Sequence, residues 1–237
     1  MKKNFYLLLL VLTLVGATLA CGLVSGSENA DEPVNQPAQL DDASAVSDAP
    51  YESGAILFSD DFSNPFSGWD TVSVETGVTD YADGVYRIFV NKDNTDIWAN
   101  PGQFFTDTII EVEATKVGGP DDNDFGVICR YQDLQNFYFL IISSDGYGGI
   151  GIIQDGDQHI ISDEAELLPN DAIRQGNVTS FIRAECVGNR LSLYADGTLI
   201  ASVQDDTFAS GDVGLLAGTY DEPGTDIHFD NFVVTAP

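Results

Sequence analysis

The stretch Phe181–Gln204, FIRAECVGNRLSLYADGTLIASVQ, decides the fold. Ile182, Ala184 and Cys186 alternate with Phe181, Arg183 and Glu185, which is the period of a strand buried on one side and wet on the other. Gly188-Asn189 breaks the run, Arg190–Ala195 resumes it, and Asp196-Gly197 separates that from Thr198–Gln204. Such dipeptides supply the positive φ that two-residue hairpin turns require. Three short strands joined by tight turns predict an antiparallel meander.

The same grammar extends in both directions. Candidate strands are Ala55–Ser59, Thr71–Glu75, Gly84–Asn91, Asp96–Asn100, Thr108–Val117, Phe125–Gln132, Phe137–Ser143, Gly149–Gln154, Gln158–Ser162, Val178–Val187, Asp212–Thr219 and Asp226–Thr235, besides the two just described. In Thr108–Val117, Ile110, Val112 and Ala114 share one face and Glu111, Glu113 and Thr115 the other. Asp83-Gly84, Asp145-Gly146 and Asp155-Gly156 mark further turns. No stretch sustains a helical period, although Asp163–Leu168 has room for one short turn. Short strands at this spacing predict an all-β domain of two packed antiparallel sheets, a jelly roll.

Residues 1–54 read differently. Lys2 and Lys3 precede the apolar run Phe5–Val15, and Thr18-Leu19-Ala20 leads to Cys21. A charged start, a short apolar core and small residues make an export signal. With its cysteine, the segment resembles the bacterial lipoprotein signal, in which that cysteine is lipidated. Thr18 stands where that signal usually has Leu, with Leu19 one place late. The alternative is an ordinary secretory signal cut near Ala20. Residues 21–54 are acidic and Pro-containing with no Lys or Arg, the composition of an extended tether. The expected organisation is therefore a signal over 1–20, a tether over 21–54 and a jelly-roll domain over 55–237. The expected location is the outer side of a bacterial cell membrane, held there by lipid on Cys21.

Acidic residues number 38 against 9 Lys plus Arg, for a formal charge of −29. Lys2 and Lys3 belong to the signal, so the exported chain is more negative still. A field of this sign repels nucleic acid and favours cations, neutral ligands or basic partners. Export also bears on the cysteines. With Cys21 lipidated, Cys129 and Cys186 are left, each within a strand-like run. In an oxidising compartment a disulfide is expected between them. Two buried thiols are the alternative.

Several motifs recur in order: Asp60-Asp61-Phe62, Ser67-Gly68-Trp69, Tyr81-Ala82-Asp83-Gly84-Val85-Tyr86, Gly126–Tyr131, Leu191–Gly197, Gly211–Leu215 and Phe229–Val234. Over residues 57–235 this order resembles the concanavalin A-like lectin/glucanase superfamily, notably its laminin G-like and 3-keto-disaccharide hydrolase branches. The resemblance implies carbohydrate binding and, in some members, cleavage. The paired-glutamate strand motif that resemblance would bring for cleavage is missing. Asp163-Glu164-Ala165-Glu166 and Glu111 with Glu113 are the nearest acidic groups, and both read as solvated surface. His159 and His228 read as structural.

A non-catalytic carbohydrate-binding domain is therefore expected, ahead of a hydrolase or a protein-binding adhesion module. Sugar faces stack on aromatic rings, which points to Trp98, Tyr131 and Tyr138. Arg130 follows the inward Cys129 and is expected on the open sheet surface beside them. Trp69 reads as a core anchor. Asp60, Asp61 and Asp230, near the two ends of the domain, are candidate ligands for a structural Ca²⁺. The loop Asp121-Asp122-Asn123-Asp124 is a second candidate.

Overall fold

The structure is a computed structural model that describes residues 52–162 and 165–237. The signal, Cys21, residues 21–51 of the tether, and Asp163 and Glu164 lie outside the described residues.

Sixteen strands form two antiparallel sheets, and no helix forms among the described residues. The larger sheet holds β1 (Ile56–Asp60), β2 (Val72–Val74), β3 (Gly77–Ala82), β4 (Val85–Val90), β6 (Thr108–Gly118), β12 (Thr179–Val187), β13 (Arg190–Ala195), β14 (Thr198–Gln204) and β16 (Thr225–Thr235). Its order is β14-β13-β12-β6-β16-β4-β3-β2, with β1 also on β16. The smaller sheet holds β5 (Thr95–Ala99), β7 (Asn123–Asp133), β8 (Asn136–Ile142), β9 (Tyr147–Gln154), β10 (Asp157–Ile160), β11 (Leu168–Pro169) and β15 (Asp212–Thr219). Its order is β10-β9-β8-β7-β15-β5, with β11 on β9.

The hairpin β12–β13–β14 forms as its sequence predicts. Gly188 has φ 56°, and Asp196 and Gly197 have φ 48° and 81°. The second pair is the signature of a type I′ turn, whose twist matches that of the flanking strands. Asp83-Gly84 and Asp155-Gly156 repeat it with φ 53° and 86° in one and 53° and 86° in the other.

Alternation then sorts the side chains. Ile110, Val112 and Ala114 of β6, Tyr86, Ile88 and Val90 of β4, and Ile182 and Ala184 of β12 are fully buried. They meet Phe125 and Val127 of β7, Leu140 and Ile142 of β8, and Leu215 and Ala217 of β15 in one core between the sheets. Trp69 joins this core, its ring edge-on to Phe232 at 4.9 Å and its Nε1 donating to Asp60 Oδ2 at 3.0 Å. Cys129 of β7 and Cys186 of β12 form the expected disulfide, which ties one sheet to the other across the core.

Two strands are absent from the sequence reading. β3 buries Gly77 and Thr79, neither of which carries an apolar side chain to betray it. β11 is two residues long, and it occupies Leu168 where a helical turn was the expectation.

Candidate functional site

The seven-stranded sheet has a second apolar cluster on the face turned away from the core. Ile128, Phe137, Phe139, Ile141, Ile153 and Leu216 form it, with Trp98, Tyr131, Ile160 and Leu167 packed around them. Glycines make the face possible. A β-carbon on Gly151 would run into the Phe139 ring, and one on Gly214 would run into Asn100. Removing side chains at these positions lets large neighbours lie flat across the strands.

At one end the face is aromatic. Trp98 of β5 lies 5.2 Å from Phe137 of β8, and Tyr131 near the end of β7 lies 5.4 Å from the same ring. The Trp98 side chain also hydrogen-bonds Tyr131, whose hydroxyl burial holds above its ordinary range. Trp98 and Tyr131 are only partly buried. Tyr131 continues into a cavity of about 420 Å³ that Gln103, Phe104, Gln132 and Asp212 also line. Phe104 is 74% exposed there. The Phe105–Gly211 bridge closes the 100–107 loop against β15. Asp212 pins that loop by accepting from the backbone N–H groups of Gly102 and Gln103 at 2.8 and 2.9 Å. Burial still raises the Asp212 carboxyl above its usual range.

At the other end the face is acidic. Asp96 of β5 and Asp124 of β7 flank Gly218 of β15 in register. A β-carbon on Gly218 would sit within 2.5 Å of Oδ1 of both carboxylates, so the two oxygens are no more than about 5 Å apart. Burial pushes the Asp96 carboxyl up to about 6, with the Gln158 side chain pulling the other way. Burial likewise lifts the Tyr220 hydroxyl, which hydrogen-bonds Asp124. This pair was missed in the sequence because its members lie 28 residues apart and meet only through β15. An Asp on each of two strand candidates, and a Gly on a third, was the available signal.

Five of the predicted site residues need correction. Arg130 is buried, not on the open face. Its φ of 54° marks a bulge where the β7 register shifts against both β8 and β15, and a bulge breaks the two-residue alternation. The guanidinium turns aside to the carbonyls of Phe208 and Gly188, at 2.8 and 2.6 Å, and to Asp107 at 3.2 Å. Tyr138 pairs with the inward Cys129 and is itself fully buried in the core. It donates to Asp205 and meets the Phe208 ring edge-on at 5.2 Å, and burial raises its hydroxyl to about 12. Asp60 accepts from Phe62 N–H and the Trp69 indole, while Asp61 accepts from Ser63. Asp230 accepts from Asn231 N–H. These carboxylates cap turns rather than converge. Among the described residues no three His, Cys, Asp or Glu side chains are grouped to hold a metal. The 121–124 loop is likewise split, with Asp121 paired to Lys116 and Asn123 bonded to Ser144.

Glu111 lies on the outer face of the nine-stranded sheet, paired to Arg183 at 2.8 Å. His228 stands 3.7 Å from Asp226 on that sheet.

The architecture is the concanavalin A-like jelly-roll sandwich. Similar solved structures include the carbohydrate-binding module CBM66 from Bacillus subtilis, with TM-score 0.56, 18% identity, and coverage of 71% of this chain and 96% of that one. A galectin-like protein of unknown function from Bacillus subtilis matches at TM-score 0.56 and 12% identity over 78% of this chain and 98% of that one. A Bacillus licheniformis beta-glucanase matches at TM-score 0.53 and 12% identity, over 76% and 97%. At these identities the likeness shows the fold. No family model matches the sequence, and no curated protein does.

Proposed function

We propose that this is an exported lipoprotein, anchored through lipid on Cys21 to the outer side of a bacterial membrane, whose jelly-roll domain binds carbohydrate without cleaving it. The observation that carries the binding reading is the aromatic end of the outer face, where Trp98 and Tyr131 lead into the cavity holding Phe104. Stacked aromatic faces take the C–H side of a pyranose, and Gln103, Gln132 and Asp212 offer planar polar groups for its hydroxyls. An open site of this size gives weak affinity, with dissociation constants between micromolar and millimolar.

A glycan array followed by calorimetry on the full mature protein tests this reading. Trp98→Ala and Phe104→Ala should each weaken binding at least about tenfold, equivalent to about 1.4 kcal/mol. A broad panel with no binding at millimolar sugar overturns it in favour of a protein-binding module. For the anchor, Cys21→Ala should move the protein from the detergent-soluble membrane fraction to the soluble one, and unchanged fractionation removes the lipid reading.

A further inference from the structure

We propose that the ligand at the aromatic end is an uncharged polysaccharide chain rather than a single sugar, and that Phe66 is a second stacking platform beneath it. This rests on the carbohydrate-binding reading and adds the class of ligand and a binding residue.

Phe66 stands on the 64–68 loop with 90% of its surface exposed, more than any other large apolar residue among the described residues. A ring left in water contributes nothing to the stability of the fold. The loop beneath it is nevertheless held firmly. Phe66 N–H donates to Asn64 Oδ1 and Ser67 N–H to the Asn64 carbonyl, both at 3.2 Å. Ser67 Oγ lies 2.9 Å from the Tyr81 hydroxyl, which also accepts from Trp69 N–H at 3.0 Å. Phe62 before the loop and Trp69 after it are both in the core. An aromatic ring carried on a loop already fixed loses little freedom when a ligand stacks on it.

The same loop borders two cavities. Toward the aromatic end, a β-carbon on Gly68 would stand 3.7 Å from the Pro101 carbonyl oxygen, and Asp70 N–H donates to the Asn100 carbonyl at 3.2 Å. Gly102, Gln103 and Phe104, next in the chain, line the 420 Å³ cavity already described. Asn64 and Ser67 of the loop line a second cavity of about 520 Å³, together with Ser59, Asp61 and Asn231. Its hydroxyl, amide and carboxylate groups suit sugar hydroxyls, as Gln103 and Gln132 do in the first. A chain that occupies both cavities crosses the 64–68 loop, where Phe66 offers its ring. Charge selects the kind of chain. Asp212 lines the first cavity and Asp61 the second, and hydrogen bonds from Ser63 hold the Asp61 carboxyl below its usual range. Carboxylates on both sides of the crossing disfavour uronic-acid and sulfated chains.

The test compares dimers and hexamers of four uncharged series, β-1,4-glucan, β-1,3-glucan, α-1,4-glucan and β-1,4-mannan, by calorimetry on the full mature protein. In a series that binds, the hexamer should bind at least about tenfold more tightly than the dimer, a difference of about 1.4 kcal/mol. Phe66→Ala should remove most of that gap and leave the dimer unchanged, with folding checked by thermal melting. Leu199→Ala, which removes an exposed apolar side chain from β14, should change neither. Equal affinity for dimer and hexamer overturns the inference and leaves the carbohydrate reading standing. So does a Phe66→Ala variant that binds the hexamer as the parent does, or that loses dimer and hexamer alike. If Phe66→Ala instead releases the protein from phosphatidylcholine vesicles with hexamer binding intact, the ring is a membrane contact and the inference falls. If none of the four series binds while another glycan of the array does, the inference falls and the carbohydrate reading stands. If no glycan binds, both fall.

Discussion

The outer faces of the two sheets treat their acidic residues in opposite ways. On the nine-stranded sheet Arg87 takes Asp226 through two parallel contacts of 2.8 Å, and Arg183 sits between Glu111 and Glu185 at 2.8 Å from each. On the seven-stranded sheet Asp96 and Asp124 face each other over Gly218. A chain with 9 basic residues places Arg87 and Arg183 on the first face, and sets no arginine beside the Asp96–Asp124 pair on the second. The first is held together by its own charges. The second holds its two carboxylates by neutral groups, the Gln158 side chain on Asp96 and the Tyr220 hydroxyl on Asp124.

The largest expected effect tests how far the two faces are coupled. Replacing Cys129 and Cys186 by Ala removes the bond between the sheets and should cost roughly 2–5 kcal/mol, read by chemical denaturation. A loss under about 1 kcal/mol would show that the sheets hold each other by packing alone. Next, Arg183→Ala should destabilise by about 1 kcal/mol, because two half-exposed carboxylates lose one shared partner. Asp96→Asn should go the other way and stabilise by up to about 1 kcal/mol, since one of two neighbouring buried like charges is removed. If both variants destabilise, the contrast between the faces is wrong.

The smallest effect is in pH. The folded Asp96 carboxyl titrates near 6 against an ordinary 3.8, so the folded state binds more protons between these values. Stability from this group therefore falls as pH rises from about 4 to about 6 and is flat above. The melting temperature of Asp96→Asn relative to the parent should climb across that window and level off beyond it. A constant difference would mean that Asp96 is not perturbed.

Much of the fold was legible because burial and alternation coincide along β4, β6 and β12. It failed at β3, whose inward positions are Gly77 and Thr79, small enough to sit under neighbours without being apolar. Site residues were harder. Trp98 was readable because β5 is regular. Arg130 was not, since a residue at φ 54° rotates off the pleat and no composition rule places a bulge. Tyr138 depends on register: it lies opposite the inward Cys129 and so points inward itself, and alternation within one strand does not give that pairing. Asp96 and Asp124 required knowing that β15 inserts between two strands distant in sequence.

The pairing of β1 with β16 has a mechanical side. Everything upstream of Glu52 joins the domain through β1, which is held to the last strand from Ile56↔Thr235 to Asp60↔Phe232. A pull on the leading segment along the strand axis loads that ladder in shear, so its hydrogen bonds resist together rather than one by one. Should it slip, Asp60 leaves with it. The Trp69 indole then loses its acceptor, and failure starts inside the core instead of at the edge. A domain pulled from its leading end would thus hold rigidly up to a threshold and then give way as a unit.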